Sequence, residues 1–122
     1  MTKLILIVED EPRNLKLCRD LLQVSGYTTI EATDGKQGVK LAKSKKPDVI
    51  LMDIQMPKMD GLEATRILKA DTTTGNIPIL ALTSYAMKGD EEKILQAGCD
   101  RYITKPIDIK ELLKKVAEYL SG

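Results

Sequence analysis

The stretch VILMDIQMPKMDG, residues 49–61, is an apolar run that ends in an aspartate, Asp53, where a turn begins. Its first four residues are all apolar, which is typical of a strand covered by helices on both faces of a parallel sheet. A carboxylate at the end of a buried strand needs a partner, because removing a charge from water is unfavourable unless something compensates it. Asp53 is therefore the first candidate functional residue.

Similar apolar runs recur along the chain and alternate with helical patterns. The strand patterns fall at residues 4–8, 27–32, 49–52, 79–82 and 101–104. The last of five helical patterns, residues 109–120, has an apolar stripe and a capping box made by Asp108 and Glu111. Gly26 and Gly98 stand where two of the other helices are expected to end. Five strands alternating with five helices predict an α/β fold, a doubly wound (βα)5 parallel sheet.

The composition limits the classes of protein to which the chain can belong. Its 122 residues, 43% of them hydrophobic, suit one domain spanning residues 1–122. A net charge of +1 argues against a nucleic-acid partner, and no apolar segment approaches the roughly 20 residues of a membrane span. The short apolar run at the start is followed by acids and lacks the features of a signal peptide, so we expect a cytoplasmic protein.

Zinc chemistry is not expected from this sequence. Cys18 and Cys99 lie far apart without CxxC spacing, and the chain contains no histidine, so the usual zinc ligand sets cannot be assembled. Both cysteines are predicted to be buried thiols.

The site of a doubly wound sheet lies at the carboxyl ends of its strands. Three acids, two hydroxyls, a lysine and a proline follow or end the predicted strands: Glu9, Asp10, Asp53, Thr83, Ser84, Lys105 and Pro106. If the first and third strands are neighbours, as either common strand order allows, the three acids converge and their charges repel one another.

Either a raised carboxyl pKa or a bound cation would relieve this repulsion. Because water is near at an open strand edge, a hard cation with oxygen ligands is the more favourable solution, and Mg²⁺ fits best, with Mn²⁺ as a possible substitute. Such a site also binds phosphoryl groups. Asp53 is the candidate nucleophile that carries an acyl phosphate, with Lys105 and the Thr83 hydroxyl stabilising the transferring oxygens.

Four short motifs carry a resemblance to a known family. VEDE, LMDIQMPKMDG, ALTSYA and YITKP, in this order at the strand ends, resemble the receiver domains of two-component response regulators, the CheY-like family. The resemblance covers essentially the whole chain. It implies the strand order 2-1-3-4-5.

The resemblance also implies roles for the acidic residues. Asp53 matches the phosphoacceptor, Asp10 a direct metal ligand, and Glu9 an acid that acts mainly through metal-bound water, while the backbone carbonyl of Gln55 completes the protein's metal ligands. Many relatives carry two aspartates where this chain has Glu9 and Asp10. The longer side chain of Glu9 is expected to loosen the surroundings of the metal.

The resemblance also implies which residues respond to phosphorylation. Thr83 matches the hydroxyl that moves toward the phosphoryl group, and Tyr102 the aromatic residue that swings inward with it. Lys105 matches the family's ammonium group. The bond between Lys105 and Pro106 matches a cis peptide.

Within the family the chain most resembles single-domain regulators of the DivK type, which act in bacterial cell-cycle and polarity control. The resemblance implies a phosphoacceptor switch that catalyses only its own phosphorylation and dephosphorylation. The donor is a histidine kinase or histidine phosphotransferase, and a downstream protein binds the face built by the fourth helix, fifth strand and fifth helix. A receiver domain excised from a hybrid kinase shares much of this pattern and is the alternative interpretation.

Two other functions are compatible with a strand-end aspartate on this fold. An aspartate-nucleophile phosphatase of the haloacid dehalogenase type needs a second aspartate two residues after the nucleophile, where this chain has Gln55. A flavodoxin-like cofactor binder needs hydroxyls and amides after the first strand, where EDEPRN offers carboxylates. The residues disfavour both.

Each candidate also has a purely structural interpretation. Asp53 could cap the turn after its strand, and Glu9 and Asp10 could be a solvated first turn of a helix. Tyr102 could be an ordinary core aromatic, and Pro106 a trans residue that ends a strand. The lysines of the last helix are expected to form a solvated face: Lys110, Lys114 and Lys115.

Overall fold

The computed structural model describes residues 2–55, 61–84 and 88–120, in which five strands alternate with five helices. The strands are β1 (Leu4–Val8), β2 (Thr28–Ala32), β3 (Val49–Asp53), β4 (Ile79–Thr83) and β5 (Arg101–Thr104). The helices are α1 (Pro12–Val24), α2 (Gly35–Lys45), α3 (Gly61–Ala70), α4 (Lys88–Ala97) and α5 (Ile109–Leu120). Of the described helices, none has the length and apolar character that a membrane span requires.

The strands form one parallel sheet in the order β2-β1-β3-β4-β5, which confirms the predicted fold and strand order. β1 and β3 are neighbours, with Val8 opposite Met52. The carboxyl ends of β1, β3 and β4 therefore lie side by side, which brings the residues at the ends of these strands to one edge of the sheet.

The sheet separates two layers of core. One layer lies between the sheet and α2, α3 and α4, and includes Met52, Leu68 and Ile94. The other lies between the sheet and α1 and α5, and includes Leu22 and Val116. Every residue of β3 and β4 is buried, as expected for central strands that helices cover on both faces.

Local signals explain where several helices begin and end. The Asp108 carboxylate accepts a hydrogen bond from Glu111 N at 3.1 Å, which is one half of the predicted capping box. Gly26 and Gly98 have φ angles of 96° and 109°, which are strained for residues with a side chain, and they follow α1 and α4 as predicted.

Two expectations about individual side chains have different outcomes. Cys18 and Cys99 are buried free thiols, as predicted. Lys110 and Lys114 are exposed, but Lys115 is half-buried. The prediction of a solvated face is wrong for Lys115, because its ammonium donates to Tyr102 O at 3.1 Å and to the Glu111 carboxylate at 3.2 Å.

Candidate functional site

Three carboxylates meet at the edge of the sheet. Glu9, Asp10 and Asp53 each place an oxygen within 4.8 Å of the others. Asp53 ends β3 and Glu9 follows β1, so the pairing of these strands brings the two side chains together. Glu9 and Asp53 are buried and Asp10 is exposed, so the cluster extends from the protein interior to solvent.

Asp53 is held by the turn that follows it. Its Oδ1 accepts a hydrogen bond from Gln55 N at 2.9 Å, so Asp53 does cap this turn, in addition to joining the carboxylate cluster. The side-chain oxygen of Gln55 accepts a bond from Ser84 N at 2.8 Å, which ties the loop after β3 to the loop after β4. Gly61 packs so closely that a Cβ there would lie 2.4 Å from the Asp53 carbonyl oxygen.

Lys105 brings a positive charge to the buried acids. Its ammonium nitrogen lies 3.2 Å from Asp53 Oδ2 and 3.6 Å from Glu9 Oε2. The Lys105 to Pro106 peptide is cis, so the interpretation of Pro106 as a trans residue is wrong. Lys105 N also donates to Thr83 O at 2.7 Å, which fixes the backbone of this loop against β4.

Glu9 is more deeply buried than the sequence suggested. Burial, together with the hydrogen bond and the negative charge of Asp53, raises the pKa of Glu9 from 4.5 to about 7. The sequence-based expectation of water near this strand edge is wrong for Glu9, because its side chain is fully out of solvent.

The two oxygens of Glu9 differ in their surroundings. Oε1 accepts bonds from Glu11 N at 3.3 Å and from Asn14 Nδ2 at 3.5 Å. Within the described part of the chain, Oε2 is buried without a hydrogen-bond donor. An acceptor left unsatisfied beside two other carboxylates suits a hard cation with oxygen ligands, so the cluster could bind a metal ion.

A cleft of about 500 Å³ opens above the carboxylates. The described residues that line it are Glu9, Asp10, Glu11, Pro12, Asn14, Asp53, Gln55, Ser84 and Lys105. Ser84, rather than the buried Thr83, borders the cleft from the end of β4.

Tyr102 is half-buried in β5 and packs on the core layer under α4. The alternative interpretation of Tyr102 as a core aromatic is therefore partly correct. Its hydroxyl, however, donates a 2.6 Å hydrogen bond to Glu91 Oε1 on α4. Tyr85 of the ALTSYA motif and residues 56–60 of the opening stretch lie outside the described residues.

Sequence reasoning missed three residues that shape this region. Asn14 contacts Glu9 from the first turn of α1, Gly61 packs on the backbone of Asp53, and Glu91 binds Tyr102. The sequence does offer a signal for Gly61, because an aspartate-glycine pair marks a turn, here at the start of α3. Neither Asn14 nor Glu91 has a local signal, because their partners are set by the packing of separate elements.

Comparison with known proteins gives the same family that the motifs suggested. The family model described as "Response regulator receiver domain" matches residues 5–117. The polar-differentiation response regulator DivK of Brucella ovis is 49% identical over 120 residues, which cover 98% of each chain.

Solved structures are similar over nearly the whole chain. The receiver domain of sensor histidine kinase PA1611 of Pseudomonas aeruginosa, with a magnesium ion in its active-site cleft, has a TM-score of 0.92 and 37% identity over 100% of both chains. The receiver domain of Ssk1, in complex with the histidine phosphotransfer protein Ypd1 of Saccharomyces cerevisiae, has a TM-score of 0.88 and 28% identity, and covers 97% of this chain and 88% of that one.

Proposed function

The chain belongs to the response regulator receiver domain family, and we propose that Asp53 is the residue through which it receives a phosphoryl group. The chain is a DivK-like receiver of two-component signalling and acts as a signalling switch. The observation that carries the proposal is the position of the Asp53 carboxylate, at the bottom of an open cleft and 3.2 Å from the Lys105 ammonium. We propose that residues 1–122 form one receiver domain.

When the donor is a phosphohistidine, it must come from outside residues 1–122, because they contain no histidine. An Asp53 oxygen attacks the phosphorus of a phosphohistidine, the new P–O bond forms, the P–N bond breaks, and the imidazole leaves. Lys105 neutralises negative charge on the transferring oxygens. The backbone N–H of Gln55 holds the Asp53 carboxylate in a fixed orientation during the transfer.

Magnesium is the metal ion that best suits the cluster. We propose Asp10 and Asp53 as direct carboxylate ligands, the Gln55 carbonyl as the third protein ligand, and Glu9 as a partner of bound water. The unsatisfied Glu9 oxygen and the exposed Asp10 support this assignment. When bound, Mg²⁺, or Mn²⁺ in its place, offsets the charge of the carboxylates and of the phosphoryl group.

The catalytic role that we propose is limited to the protein's own phosphorylation and dephosphorylation. A phosphatase that turns over external phosphoesters needs a general acid beside the nucleophile. Gln55, two residues after Asp53, has an amide that cannot supply a proton, and its oxygen already accepts from Ser84 N. Turnover on external phosphoesters should therefore be slow.

We further propose the partners and the direction of the signal. A histidine kinase or phosphotransferase is the donor, as the complex of the related Ssk1 receiver with Ypd1 suggests. Thr83 and Tyr102 would change position on phosphorylation, and a downstream protein would read the face formed by α4, β5 and α5. We propose that the protein acts in the cytoplasm together with such donors.

Intact-mass spectrometry after incubation with acetyl phosphate tests the assignment. The wild-type protein should gain one phosphoryl adduct in the presence of Mg²⁺, should lose it at alkaline pH, and should gain far less in EDTA. Asp53→Asn should gain none. Asp108→Asn, which keeps a capping residue at the start of α5, is the matched control and should label as the wild type does. A full adduct on Asp53→Asn would overturn the assignment.

A further inference from the structure

Tyr102 is connected to three structural elements through different groups. Its hydroxyl donates to the Glu91 carboxylate on α4 at 2.6 Å. Its backbone carbonyl accepts from the Lys115 ammonium on α5 at 3.1 Å, and in the sheet it lies opposite Ala81 of β4. The backbone of Tyr102 is thus anchored from both sides, and the side chain is the part that can change position.

The Tyr102 side chain lies on the same face of the sheet as Thr83. Side chains alternate along a strand, so Ala81 and Thr83 share a face, and Tyr102 is paired with Ala81. Ala81, the partner directly opposite the ring, has only a methyl side chain. The bond to Glu91 holds the Tyr102 hydroxyl at α4.

We propose that Glu91 is a latch that holds Tyr102 in its outward position and so sets how readily the unphosphorylated protein adopts the active arrangement. The inference rests on the proposed function, in which Tyr102 moves inward on phosphorylation. Tyr102 and Glu91 must separate for that movement, so the strength of their bond opposes activation.

The chemistry of the pair makes this bond a strong one. Glu91 is half-buried, and a hydrogen bond to an ionised carboxylate is stronger than one between neutral groups. The same bond raises the pKa of Tyr102, so its hydroxyl stays protonated and remains a donor at neutral pH. If the latch is removed, the inward population should rise, and the apparent affinity for a phosphoryl mimic should rise with it, by up to about tenfold.

The test is a titration of beryllofluoride, a phosphoryl mimic, in Mg²⁺. Protein labelled with 3-fluorotyrosine reports on Tyr102 by fluorine NMR, with the signal assigned from Tyr102→Phe. Glu91→Ala should bind beryllofluoride several-fold to tenfold more tightly than wild type and should shift the Tyr102 signal of the free protein toward its bound position. Glu92→Ala removes an exposed acid from the same helix and should behave as wild type.

Two further variants separate the latch from general loosening of α4. Glu91→Gln keeps an acceptor oxygen and should restore part of the wild-type affinity. In the Tyr102→Phe background, which already lacks the donor, Glu91→Ala should have no further effect. If the wild type binds beryllofluoride but Glu91→Ala and Glu92→Ala bind it with equal affinity, the latch is overturned and the proposed function is not. A wild-type protein that does not bind the mimic overturns the proposed function.

Discussion

Asp53 Oδ2 and Lys105 Nζ are 3.2 Å apart in a site where both side chains are largely buried. The ammonium also lies 3.6 Å from Glu9, so one positive charge serves two buried carboxylates. Burial, the hydrogen bond to Asp53 and the negative charge of Asp53 raise the pKa of Glu9, and the positive charge of Lys105 offsets only part of this rise.

Lys105→Met should separate metal binding from phosphoryl transfer. Removal of the ammonium should strengthen Mg²⁺ binding several-fold, because a positive charge near the metal site is lost. The rate of phosphorylation by acetyl phosphate should fall by roughly a hundredfold, since the charge that stabilises the transferring oxygens is gone. Calorimetric titration with Mg²⁺ and timed mass spectrometry measure the two effects. Weaker Mg²⁺ binding would contradict the charge balance described above.

Glu9 should make the metal-free protein less stable as pH rises. Its folded pKa of about 7 exceeds its ordinary value of 4.5, so the folded state binds the proton more tightly than the unfolded state. The stabilisation is complete below pH 4.5 and is lost as pH rises through about 7. Urea unfolding in EDTA, followed by circular dichroism, should show a loss on the order of 1–3 kcal/mol between pH 5 and pH 8.

Glu9→Gln is the matched variant for that measurement. Glutamine resembles the protonated acid in shape and charge, so the variant should keep at pH 8 most of the stability that the wild type loses. Added Mg²⁺ should stabilise the wild type more at pH 8 than at pH 5, because the ion binds the ionised carboxylates. A wild-type stability that stays level or increases across this range would show that Glu9 does not titrate as described.

Gly61→Ala should disturb the site through the backbone. The added Cβ would lie 2.4 Å from the carbonyl oxygen of Asp53 and 2.5 Å from Ile54 Cα, so the start of α3 or the end of β3 must shift. We expect a loss of about 1–3 kcal/mol in the free energy of unfolding and slower phosphorylation.

Gly26→Ala is the control for Gly61→Ala. A Cβ at Gly26 meets no atom within 4 Å, although its φ of +96° is strained for alanine. This variant should lose roughly 1–2 kcal/mol of stability and phosphorylate at the wild-type rate. Equal phosphorylation by both variants would show that the close approach of Gly61 does not position Asp53.

Lys69→Met should destabilise the fold without affecting the chemistry. The Lys69 ammonium donates to Ile77 O at 2.8 Å, to Asp100 at 3.2 Å and to Gly75 O at 3.4 Å, and so joins α3, the loop before β4 and the start of β5. Its loss removes the ammonium from the two loop carbonyls and leaves Asp100 Oδ2 with its bond from Ile79 N at 2.8 Å, which should lower stability by about 1–3 kcal/mol.

Lys43→Met is the matched control for Lys69→Met, since Lys43 is more exposed and pairs only with Asp71 among the described residues. Surface pairs of this kind contribute at most about 1 kcal/mol. Both variants should still take a phosphoryl group at Asp53 in the mass assay. If Lys43→Met were the more damaging substitution, Lys69 would not have the structural role that its contacts indicate.

The features that the sequence predicts well are those encoded in local patterns. Continuous apolar runs identified β3 and β4 because burial on both faces demands them, and the alternation of strands and helices led to the correct fold class. The convergence of Glu9, Asp10 and Asp53 followed from the position of each acid at a strand end. Their roles in metal binding and phosphoryl transfer stay predictions.

Other features depend on contacts between distant elements, and no local pattern encodes them. The burial of Glu9 depends on how Asn14 and the first turn of α1 cover it, so its raised pKa was not expected. The sequence pattern predicts that Lys115 faces solvent like the other lysines of α5, but its ammonium donates to the backbone carbonyl of Tyr102 in β5. The bond between Glu91 and Tyr102 likewise requires the packing of α4 on β5 to be known.

The division of the core by the sheet affects how chains of this kind can diversify. Tyr102 packs on the layer under α2, α3 and α4, whereas Ile103, its neighbour in β5, belongs to the layer under α1 and α5. Substitutions around Tyr102 and α4 therefore disturb contacts on one side of the sheet. Such substitutions leave the packing of the opposite layer in place, so the two sides of the sheet can vary in sequence independently of each other.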